Sequence, residues 1–162
     1  MLPLVALASV AWVAVILAAP LLPGAIGGPV YMFGAMVCHQ IAERSFQVDG
    51  AQLPVCARCL GIYAGVAAGA LLYVGRAISG PPREADRVRA TREKATLLIA
   101  ALPTILTVVL EWAGLWSPSN VTRAIAGAPL GAAVAFVTMR ALHYEQCQRR
   151  RSSVPIQPST RI

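Results

Sequence analysis

The chain has 162 residues, of which 57% are hydrophobic and only 13% charged, with a mean hydropathy of +0.63 and a formal charge of +7. Soluble domains carry about 25% charged residues, so this composition excludes an ordinary soluble domain and makes the lipid bilayer the first expected partner. The surplus Lys and Arg cluster in two places beside apolar runs, the positive-inside pattern of membrane proteins, and this excludes nucleic acid as a partner.

Leu4 to Leu22 is uncharged and long enough to cross the hydrocarbon core as a helix, until Pro20, Pro23 and Gly24 break the run. A cleaved signal peptide is the competing reading, against which stand a long apolar run and no Lys or Arg before it. Residues 29–37 are apolar but too short to span, and they deliver Cys38 to the membrane surface. A polar loop follows, in which Cys38 and His39 are adjacent and Cys56 and Cys59 form a C-x-x-C pair.

A second span is expected from about Cys56 to Ile78, where Gly61, Gly65 and Gly69 place small residues on one stripe. Residues 79–94, with Pro81, Pro82 and many charges, read as a polar break able to hold a short surface helix. The third span runs from Ala95 to Trp116, with Pro103 as an expected kink and an acid, Glu111, near its far end. Ser117 to Asn120 form a short turn, in which Ser117 or Ser119 would cap the next helix.

The fourth span, Val121 to Leu142, carries Arg123 near its start and Gly127 and Gly131 in GxxxG spacing. The stripes suit either packing within the chain or a homo-oligomer. His143 to Ile162 reads as a disordered basic cytoplasmic tail, and His143 and Cys147 in it are left out of the site.

The fold class is therefore an all-α integral membrane bundle of about four transmembrane helices (4–22, 56–78, 95–116 and 121–142) forming one domain, 1–142, with a Cys/His loop at 38–59. The basic 79–94 loop and tail should face the cytoplasm, which places both termini inside and the Cys/His loop outside a cell (inner) membrane. Glu111, Asn120 and Arg123 then arrive at the same face as the cysteines, giving one polar site at the outer mouth of the bundle.

Zinc takes four N or S ligands in a tetrahedron, and Cys38, His39, Cys56 and Cys59 supply such a set. Adjacent Cys and His ligands are uncomfortable, so one of the two is alternatively a supporting group, leaving a coordination position open. Arg58, between the two cysteines, is expected to compensate thiolate charge. The cofactor expected is zinc or a similar transition metal, either structural or carried as cargo. The alternative is thiol–disulfide chemistry by Cys56 and Cys59, favoured by a helix N-terminus but lacking a second outer cysteine pair. A third reading makes the metal a structural clip on a channel or transporter marked by Glu111 and Arg123. An acid within a span is costly unless paired or hydrated, and Arg123 is its natural partner. Leu60 after the C-x-x-C pair excludes covalent c-type haem attachment, and no hydrolase or nucleotide motif appears.

Cys38-His39-Gln40, Arg44-Ser45-Phe46, Pro54-Val55-Cys56-Ala57-Arg58-Cys59 and Gly61-Ile62-Tyr63 resemble the signature of domain of unknown function 2085, a family of small prokaryotic membrane proteins. Ser119-Asn120 with Arg123, Gly127 and Gly131 resemble its C-terminal pattern, and the match covers roughly residues 30–135. One departure is Glu111-Trp112, where the family pattern has an Asp followed by Gly. The resemblance implies a multi-pass membrane protein and the importance of the cluster Cys38, His39, Cys56 and Cys59, beside which Arg44, Arg58, Glu111, Asn120 and Arg123 are further polar site candidates, and it implies no activity.

Overall fold

A computed structural model describes residues 1–78 and 90–152. Five α-helices run through them: α1 (Leu2–Ala18), α2 (Gly24–Val37), α3 (Ala57–Ile78), α4 (Ala90–Trp112) and α5 (Asn120–Ser152). Four segments are long and apolar enough to cross a membrane: Leu2–Leu21, Ala57–Ala77, Glu93–Trp112 and Asn120–Arg150. The chain is thus an all-α membrane bundle, and α2 is a shorter apolar helix beside the first span. It begins at Gly24, earlier than the expected 29–37 stretch, because Pro23 fixes its entry and Pro29 is accommodated inside. Gly27 meets Ala19 and Leu22, so α2 starts against the 19–22 segment that ends the first span, and Phe33 packs edge-on against Trp12 of α1.

The central contact is α3 against α5. A Cβ on Gly61, Gly65 or Gly69 would collide with the backbones of Ala124, Ala128 and Ala132, while Gly127 and Gly131 meet the backbone at Arg58 and at Ile62. Two stripes of small residues let the helix backbones touch, since lipid-embedded helices associate through close packing rather than hydrophobic exclusion. Both stripes are occupied within the chain, the first of the two uses expected for them. The α4 helix packs on α5 and exposes Leu98, Ile99, Leu102, Leu106 and Val109, the face offered to lipid. Pro103 lies inside an unbroken α4.

At one end of the bundle Leu2, Ala6, Ala70, Tyr73, Ala135 and Met139 form an apolar cluster. Glu93 pairs there with Arg140 at 2.8 Å, and the Tyr73 hydroxyl meets His143 Nδ1 at 3.1 Å. The last helix does not stop at Leu142, and residues 143–152, read from sequence as disordered tail, are its continuation. No Gly or Pro interrupts this stretch, Gln148 bonds Tyr144 across one turn, and Arg149 and Arg150 complement the helix C-terminal charge. Likewise residues 90–94, expected in the polar break, are the first turn of α4. The remainder of that break, 79–89, and of the tail, 153–162, lie outside the described residues.

Candidate functional site

The opposite end of the bundle gathers the start of α3, the end of α4, the start of α5 and the 38–56 loop. Side-chain hydrogen bonds hold this loop. Asp49 and Gly50, at φ 51° and 80°, make the tight turn of a two-stranded hairpin, β1 (Gln47–Val48) and β2 (Ala51–Gln52). Both central residues of such a turn need positive φ, which is why Asp-Gly suits it. Gln40, itself at φ 49°, donates from Nε2 to the carbonyls of Tyr31 (2.8 Å) and Pro54 (2.7 Å). Gln52 donates to the Gln40 carbonyl at 2.6 Å and to Ser45 Oγ at 3.3 Å, while the Tyr31 hydroxyl donates to the Gln52 carbonyl. Leu53, Pro54 and Val55 are buried beneath this network.

The network sets three thiols together. The sulfurs of Cys38, Cys56 and Cys59 all lie within 4.8 Å of one another. Around one ion with Zn–S bonds of ≈ 2.3 Å, neighbouring sulfurs stand about 3.8 Å apart, so a slight contraction would bring all three onto a single ion. Cys38 is buried, and Ile16 and Val55 form an apolar wall around the group. The Cys56 backbone N–H donates to Cys38 Sγ at 3.2 Å. Cys56 occupies the N-cap of α3, its carbonyl accepting the N–H of Leu60. Its thiol falls to about 5 from the ordinary 9.0, chiefly through the hydrogen bond with the Cys59 side chain. The backbone N–H of Cys59, the Cys38 thiol and the backbone N–H of Arg58 assist, and burial opposes.

His39 stands outside this group, exposed. Cys38 is extended, at φ −145° and ψ 140°, and successive side chains of an extended segment project to opposite sides. The four-ligand set expected from sequence therefore reduces, in the geometry, to three thiols. Arg58 is also placed differently from expectation. Its guanidinium reaches Thr107 Oγ1 (3.4 Å) and Glu111 Oε2 (3.3 Å) and does not serve the thiols. On a helix, residue 58 lies about 200° around the axis from residue 56 and 100° from residue 59, so it faces α4 and α5.

A second polar centre forms there. Glu111 Oε1 receives Arg123 Nη2 at 2.8 Å and Arg44 Nε at 3.0 Å, in addition to the Arg58 bond on its other oxygen. Arg123 Nη1 donates to Asn120 Oδ1 at 3.0 Å, and Asn120 Nδ2 donates to the Ser45 carbonyl at 3.0 Å, tying α5 to the loop. Ser119 caps α5 by accepting the Thr122 N–H at 3.2 Å. The sequence-chosen Arg44, Arg58, Glu111, Asn120 and Arg123 thus converge. Gln40, Gln52, Ser45 and Thr107 join the site through hydrogen bonds that the sequence pattern does not mark. Thr107 carried a usable signal, since it lies four residues before Glu111 on the same helical face.

The chain is thus a multi-pass helical membrane bundle with a cluster of three thiols and a buried carboxylate–arginine centre at one end. The chain belongs to the family described as predicted membrane protein (DUF2085), whose pattern it matches over residues 38–137. It is similar to the uncharacterized protein MJ1492 of Methanocaldococcus jannaschii, 33% identical over 107 residues, or 66% of this chain and 64% of that one. It is also similar to an uncharacterized protein of Methanothermobacter thermautotrophicus, 35% identical over 105 residues, 63% of this chain and 84% of that one. The chain thus spans just under two thirds of the Methanocaldococcus jannaschii protein's length. No solved structure matches.

Proposed function

We propose that this membrane protein binds a thiophilic metal ion, zinc or a similar transition ion, through Cys38, Cys56 and Cys59, and acts in metal handling. The observation that carries the reading is the convergence of three sulfurs from two chain segments within 4.8 Å. A three-sulfur set suits a soft or borderline ion and leaves a position open for an exchangeable ligand, as a site that passes metal on requires. The thiol of Cys56, held low by donors from its neighbours, supplies one of the three thiolates that a metal needs. The basic stretches 83–94 and 149–151 mark the cytoplasmic side of a cell membrane, with both termini inside and the cysteines outside. Arg44, Arg58 and Arg123 at the outer end are engaged with Glu111 and do not act as loop charges.

Thiol–disulfide exchange by Cys56 and Cys59 is the second reading, and the low value for Cys56 also favours it. Against it, the fourth cysteine, Cys147, lies about 36 Å along α5 from Arg123, too far to complete a second pair. Elemental analysis of the purified full chain, with thiols counted before and after chelation in a Cys147→Ser background, separates the two. One metal per chain, with three thiols becoming reactive only after chelation, supports metal binding. No metal, with Cys56 and Cys59 recovered as a disulfide, overturns it.

A further inference from the structure

The charges around Glu111 do not balance. One carboxylate faces three guanidinium groups, Arg123 at 2.8 Å, Arg44 at 3.0 Å and Arg58 at 3.3 Å, leaving two positive charges over. A buried ion pair built only to hold helices together gains from matching charge, because uncompensated buried charge is heavily penalised. Donors are also in surplus. The Nε groups of Arg58 and Arg123 are buried without a partner among the described residues, and Arg123 as a whole is only 5% exposed. Arg44 is half open to solvent and engages Glu111 through Nε.

Beside this centre is an open cleft of about 650 Å³ between the 41–45 turn and the 114–120 turn, lined by Arg44, Arg123, Ser117, Ser119 and Asn120 together with the carboxylates of Glu111 and exposed Glu43, so that with Arg58 behind it three guanidiniums face two carboxylates. The N-terminus of the long helix α5 ends at the same place, adding its positive partial charge. The cleft sits at the ends of the spans that finish at Trp112 and begin at Asn120, the depth at which lipid headgroups start.

We propose that this cleft is a binding site for a phosphate-type oxyanion, free in solution or carried on a lipid headgroup. Arg44 and Arg123 supply the charge, and the Ser117 and Ser119 hydroxyls and the first turn of α5 supply further donors. Glu111 holds the guanidiniums in place and lowers the charge enough for the bundle to fold without the anion. Planar multi-donor guanidiniums favour an oxyanion over chloride.

The test uses the full chain in detergent with chelator present, so that no thiol-bound metal takes up the anion. Inorganic phosphate and sulfate are titrated against chloride at matched ionic strength, with thermal stability and calorimetry as readouts. In parallel, binding is measured in nanodiscs of phosphatidylcholine with and without phosphatidylglycerol. Saturable stabilisation by phosphate or sulfate identifies a free oxyanion, and stabilisation by phosphatidylglycerol alone identifies a headgroup. In either case Arg44→Gln weakens binding at least fivefold, Glu43→Gln tightens it by removing a repelling charge from the lining, and His39→Ala, at an exposed position outside both centres, leaves it unchanged. Equal effects of chloride and phosphate with no response to phosphatidylglycerol overturn the proposal, as does wild-type affinity in Arg44→Gln.

Discussion

Cys56 and Arg58 stand two residues apart on the first turn of α3, yet they serve centres of opposite character. The thiol centre is held by main-chain geometry and neutral hydrogen bonds: an N-cap, a two-residue hairpin turn, and Gln40 and Gln52 bridging carbonyls. The arginine centre is held by charge, three guanidiniums on one carboxylate in a span. A helix turn of about 100° per residue points neighbouring side chains to different partners, so one turn joins a centre suited to soft cations with one that carries surplus positive charge. The first should depend on the loop, the second on helix–helix register, and both on the glycine contact between α3 and α5.

The largest effect is expected from Glu111→Ala, which strands three arginines. Breaking one side of a buried ion pair costs about 3–5 kcal/mol, so a large fall in Tm is expected, with metal stoichiometry retained below the transition. Concurrent loss of metal would show that the two centres are one. Gly61→Ala comes next. Its new Cβ meets the Ala124 backbone carbonyl, next to Arg123, and overpacking of this kind costs about 1–3 kcal/mol. Both Tm and metal affinity should fall, because the shift moves Arg58 and Cys59 together; an unchanged Tm would contradict the close packing of α3 on α5.

Gln40→Ala is expected to be milder and confined to one centre. It removes the side-chain donor shared by the Tyr31 and Pro54 carbonyls, a penalty of about 1–3 kcal/mol where the buried Pro54 carbonyl is left unsatisfied, and should weaken metal binding while anion binding stays intact. His39→Ala is the smallest. The exposed imidazole lies outside the thiol group, so neither Tm nor metal stoichiometry should change. A tenfold loss of metal affinity in this variant would return His39 to the ligand set.

Much of this arrangement is legible in the chain because membrane spans are long apolar runs and expensive residues inside them stand out. Glu111 is conspicuous in an uncharged stretch, and Arg123 follows it after one short turn. The cysteine spacing marks the loop as chemically active. What the sequence conceals is direction. His39 adjoins Cys38 in the chain and diverges from it in space because the backbone there is extended, whereas Gln40, with its left-handed φ, turns back and ties the loop. Arg58 sits between two cysteines on paper and on another helix face in three dimensions. The extra length of α5 was hidden for a different reason. Hydropathy ends at Leu142, but helix propensity and the Tyr73–His143 contact do not.

X-ray absorption at the metal edge tests directly whether three sulfurs share one ion. Zinc-reconstituted Cys147→Ser protein is expected to show three sulfur neighbours at about 2.3 Å and a spectrum unaltered by His39→Ala. Two or fewer sulfurs, or imidazole scattering that disappears with His39, would contradict it.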